Sequence, residues 1–95
     1  MSGTSDLHEE EYRAEVEMYV LWCEGRFEEL RRAGLVEGQS LLTEAGWSKY
    51  KRLVASGFVP TIEKVIWTLQ SDQRVPPEQV NRLAALMLRP QGGPR

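Results

Sequence analysis

Few side chains in this sequence belong to types that do chemistry, and their spacing decides what they can do. The chain has one histidine, His8, and one cysteine, Cys23. A general base has to be held beside a nucleophile. His8 instead stands near a helix start with Glu9, Glu10 and Glu11 behind it, which reads as an exposed side chain. Cys23 falls on an apolar stripe beside Glu24. That setting raises a thiol's pKa, so the residue reads as a small core hydrophobe. The glutamates at 9–11 and 28–29 are the densest acidic groups. Adjacent helix residues diverge by about 100°, so neither group converges on one proton or one ion. A solvated helix face is the expectation. One histidine and one cysteine also exclude a His/Cys zinc site within the chain, and a lone cysteine excludes an intrachain disulfide. Glycine-rich phosphate loops and dinucleotide fingerprints do not occur. The sequence is read as non-enzymatic, with no cofactor and no metal.

The elements that would hold any site are helical. The chain's 95 residues fit one domain, and a chain of that size buries only about 60–65% of its unfolded surface. The longest apolar run, Met18 to Cys23, is far shorter than the ~20 residues of a membrane span. The start of the chain lacks the basic and apolar pattern of a signal peptide. A cytoplasmic, soluble protein without membrane contact is expected. Within it, residues 1–5 are expected to be a flexible N-terminus, 6–89 a single helical domain and 90–95 a disordered tail.

Apolar spacing predicts four helices, and an all-α or mostly α fold. The first runs from Asp6 to Ala33, with Asp6 as its cap and Gly34 behind its end. Tyr12, Val16, Val20, Cys23, Phe27 and Leu30 form one stripe along it. Residues 34–42 make a connector in which Leu35-Val36 and Leu41-Leu42 are candidates for a very short β-hairpin. The second helix spans Thr43 to Ser56 and ends at Gly57, with Trp47, Tyr50, Leu53 and Val54 on one face. The third spans Ile62 to Gln70 with Thr61 as cap and Trp67 off its apolar stripe. The fourth opens at Pro76-Pro77-Glu78 and turns Val80, Leu83, Ala84 and Met87 inward.

Charge is segregated along this framework. Residues 6–30 hold nine acids against Arg13 and Arg26, a net of -7, whereas residues 31–95 hold ten basic residues against five acids, a net of +5. Such polarity suits either two halves that attract each other or a surface that meets a charged partner. The middle of the first helix adds an apolar signal, because Met18, Leu21 and Trp22 project away from the stripe. A helix apolar on every side is covered on every side, by the other helices or by another protein. Met18, Leu21 and Trp22, with Trp67, are the candidate partner-binding residues, Trp22 being the leading anchor. The partner would be another protein or a second copy in a homodimer.

A second reading comes from residues 27–54. The stretch Phe27-Glu28-Glu29-Leu30-Arg31-Arg32-Ala33-Gly34-Leu35-Val36-Glu37, followed by Leu42-Thr43-Glu44-Ala45-Gly46, resembles winged-helix transcriptional regulators at the point where the recognition helix passes through a short wing into the next helix. The resemblance implies a DNA binder whose reading helix enters the major groove. It would place Arg26, Arg31 and Arg32 on or just after the reading helix and Lys49 and Lys51 on the helix that follows, with Arg52 beside them as a further candidate contact. The segment corresponding to that reading helix is acidic here, which opposes approach to phosphates. A small helical regulator or adaptor acting through protein–protein contacts is therefore the leading functional expectation, and DNA binding the alternative.

Overall fold

Four helices carry the chain, and the computed structural model describes residues 3–88. They are α1 (Gly3–Arg32), α2 (Glu44–Ala55), α3 (Ile62–Gln70) and α4 (Pro77–Met87). No strand occurs among the described residues, so the fold is all-α and residues 35–42 form an open connector rather than a hairpin. Two-residue apolar runs are too short to stabilise a paired ribbon.

Local chemistry sets the helix ends. Thr43 Oγ1 accepts from the Gly46 amide at 3.1 Å, and Thr61 Oγ1 accepts from the Lys64 amide at 3.3 Å. Each thereby satisfies one of the donors a helix start leaves unpaired. Pro76 and Pro77 open α4, where a missing N–H costs nothing. α1 and α2 stop in the same way. Leu35 donates to the Leu30 carbonyl and Gly34 to that of Arg31, while Phe58 donates to Leu53 and Gly57 to Val54. Gly34 at φ 79° and Gly57 at φ 89° supply the left-handed residue this pairing needs.

The start of α1 corrects one expectation. The helix is already formed at Gly3, so Asp6 lies within it and is not its cap. Met1, Ser2 and the expected tail at 90–95 lie outside the described residues.

Packing makes α1 the centre of the molecule. It touches α2, α3 and α4, and α3 pairs with α4, whereas α2 packs on α1 alone. Trp22, Cys23 and Leu30 of α1 join Tyr50, Val65, Leu69, Val80, Leu83, Ala84 and Met87 in one buried cluster. Gly25 permits the closest approach. A Cβ there would overlap the Tyr50 ring, so α2 lays an aromatic side chain directly on the α1 backbone. Gly25 looks like a weak point in a helix by propensity, yet it is what lets the two helices meet.

The covering is confined to the second half of α1. From Trp22 to Leu30 the helix is buried on almost every side, while Tyr12, Met18 and Val20 are exposed. The molecule is 52 Å long but under 30 Å in its other dimensions. A 30-residue helix is about 45 Å long, so α1 accounts for that elongation.

Candidate partner-binding face and adjoining cleft

The sequence-predicted residues separate into two groups by burial. Trp22 is 5% exposed and belongs to the core, so the leading anchor is not on the surface of this fold. Tyr50 of α2 and residues of α3 and α4 join Trp22 in that core. Leu21 is half-buried against that core. Met18 at 38% and Trp67 at 42% exposure remain available.

The basic residues are also divided. Arg31 grips Glu28 through two hydrogen bonds, Nε at 2.9 Å and Nη2 at 2.8 Å, and Arg32 Nε reaches the same carboxylate at 2.5 Å. Arg32 and Lys51 also lie over the Trp47 ring, at 4.5 and 5.4 Å from its centre. Trp47 in turn stacks on Tyr50 at 5.4 Å. Lys49 and Arg52 are exposed on α2.

Glu28 departs from the solvated face expected of it. It is 4% exposed, and the two arginines with the Ser40 hydroxyl hold its carboxyl at a pKa of about 2. The hydrogen bonds from Arg31 are the largest cause, outweighing the effect of burial. Glu29 pairs with Arg26 at 2.5 Å. Arg26, 7% exposed, donates through Nε to the Met87 carbonyl at 2.6 Å and so ties α1 to the end of α4. Sequence spacing marks i, i+3 and i, i+4 pairs here, but nothing local reveals that neighbouring helices enclose them.

Cys23 sits where the stripe predicts, buried and free. Burial, then the nearby Glu24 and Asp72 carboxylates, push its thiol up to about 12, so it is not a thiolate near neutral pH. His8 is exposed on the projecting part of α1. No cluster of three or more metal-ligating side chains occurs among the described residues.

What the fold brings together is an apolar strip that sequence reasoning only half located. Val16 and Val20 of α1 face Trp67 of α3 and Leu41 of the connector along an open groove of about 490 Å³. Towards the N-terminal end, Tyr12 and Tyr19 continue the strip and meet Glu63 and Lys64 of α3. Tyr19 is fixed from two sides, by Phe58 at 5.7 Å between ring centres and by Lys64 over its ring at 5.5 Å. The stripe spacing contained Tyr12, Val16 and Val20. Their pairing with Trp67 and Leu41 depends on where α3 and the connector dock, which local spacing does not encode.

Beyond Leu41 the groove deepens into a cleft between α1, α3, α4 and residues 37–41, with a volume of about 280 Å³. Cys23, Glu24, Leu41, Leu69, Asp72 and Arg74 line both hollows. At their boundary Arg74 Nη2 bridges Asp72 Oδ2 at 2.6 Å and Glu24 Oε2.

No helix among the described residues is long and apolar enough to cross a membrane. No family model, curated protein or solved structure matches the chain.

Proposed function

We propose that this protein is a non-enzymatic helical adaptor that docks a partner protein on the projecting half of α1. The observation that carries this reading is the strip of exposed Tyr12, Val20, Leu41 and Trp67 around the half-buried Val16. Large apolar side chains gathered on one face are unusual on an isolated small domain and mark contact surfaces. The exposed Glu9, Glu10, Glu11, Glu15 and Glu17 on the same half of α1 make an acidic rim, offset by Arg13 and by Lys64 of α3. That rim favours a basic partner through faster encounter and against wrong pairing. A second copy fits less well, because two such helices would bring their glutamates face to face.

The test is differential capture by the full chain and by a Val16→Glu, Trp67→Ser double variant, followed by direct binding of any purified candidate. Basic proteins retained by the first and lost by the second support the adaptor reading. Identical capture by both chains overturns it. Light scattering supplies the companion measurement, with a monomer expected at low salt.

A further inference from the structure

The cleft beside the strip has its own chemistry. Its walls are apolar, formed by Cys23 and Phe27 of α1, Leu69 of α3, and Leu83 and Met87 of α4. Its volume of about 280 Å³ lies at the lower edge of the range for small-molecule sites, suited to a body of one or two rings. Charge gathers at its rim, where Glu24, Glu37 and Asp72 stand against Arg74 alone. The rim is therefore negative by two formal charges. Arg74 serves two of these carboxylates at once, donating to Glu24 Oε2 and to both oxygens of Asp72.

We propose that this cleft is a binding site for a small hydrophobic amine, its apolar body held between α1, α3 and α4 and its ammonium group directed to Glu24. An ammonium brings the positive charge that the rim lacks. A neutral alcohol of the same shape brings a donor without the charge, and a carboxylate is repelled by all three acids. Burial is the main cause of the raised Cys23 thiol, and the Glu24 and Asp72 carboxylates at this wall add to it. The cleft adjoins the partner groove, and Cys23, Glu24, Leu41, Leu69, Asp72 and Arg74 border both.

Phenethylamine, 2-phenylethanol and 3-phenylpropanoate are suitable probes, titrated into the full chain and followed by amide chemical shifts. Phenethylamine is expected to bind with a dissociation constant on the order of 1 mM, as befits a fragment. Its shifts should centre on residues 23–27, 69–75 and 83–87. The alcohol should bind about fivefold or more weakly, and the propanoate should leave the cleft unperturbed. Two variants separate a binding role from a structural one, because both break the same ion pair. Glu24→Gln should reduce amine affinity to that of the alcohol, whereas Arg74→Gln should strengthen it by about two- to fivefold by freeing the carboxylate. Equal binding of amine and alcohol, absence of shifts at the cleft, or parallel weakening in both variants would overturn the proposal.

Discussion

The two halves of α1 are one continuous helix with opposite fates. From Trp22 to Leu30 almost every position is covered, including Arg26 and Glu28, whereas between His8 and Val20 only Val16 and Tyr19 are even half-buried. The halves differ in what the rest of the chain can reach. α2, α3 and α4 have 12, 9 and 11 residues, each less than half of α1, so they cover only part of its length. The comparison teaches that an apolar residue on this helix is structural or available according to its position along the axis as much as its face. Trp22 and Trp67 both lie off a stripe, yet one is core and the other surface.

The sharpest way to break that comparison is to remove the tryptophan from each side of it. Trp22→Ala should cost about 3–5 kcal/mol by leaving a cavity in the core, read as a large shift in the denaturant midpoint. For a chain of this size, that loss approaches total stability. Trp67→Ala should move the same midpoint by about 1 kcal/mol or less, because the ring is already 42% exposed. A result with the two effects reversed would place the core elsewhere.

Gly25→Ala should have the next largest effect. The added methyl overlaps the Tyr50 ring and has to push α2 away, at about 1–3 kcal/mol, although alanine is the better helix former. Differential scanning calorimetry would register the loss as a fall in Tm of at least several degrees. A stabilised variant would mean that α2 does not rest on α1 at this point.

Acid probes the buried end in a different way. The Glu28 carboxyl is lowered in the folded chain from 4.5 to about 2 by Arg31, burial notwithstanding. A group with a depressed folded pKa stabilises fully above its unfolded value and loses that contribution as pH falls through the folded one. Wild-type stability should therefore decline between about pH 4.5 and pH 2, and Glu28→Gln should flatten that part of the profile in urea titrations. A parallel decline in both chains would remove Glu28 from the account.

The smallest effect concerns α2. Lys51 and Arg32 lie over Trp47, and Arg31 and Arg32 bind Glu28, so part of the exposed basic surface is already engaged. The adaptor reading predicts no mobility shift of duplex DNA at low salt, and no change on Lys49→Gln with Arg52→Gln. A shift that weakens steeply with salt and disappears in that variant would instead support nucleic-acid binding.

Much of this fold was legible in the residues. Thr43 and Thr61 marked helix starts because a threonine hydroxyl can accept from the first free amides. Gly34 and Gly57 marked ends because glycine alone takes their backbone geometry without strain. Val80, Leu83, Ala84 and Met87 were correctly placed inside by spacing alone. The candidate site was legible only in part. Met18 and Trp67 are exposed as the partner reading requires, but Trp22 is enclosed, and the strip is completed by Leu41 from a connector without periodicity.

What the sequence by itself determined was therefore the set of helices, their ends and their inward faces, since these follow from interactions between residues a few positions apart. Only the tertiary structure decided that Gly25 is a seat for Tyr50, that Glu28 and Arg26 are buried partners, and that α1 outruns its neighbours. Each of these depends on distant segments meeting in three dimensions, where close packing and burial act between residues whose separation along the chain carries no local pattern.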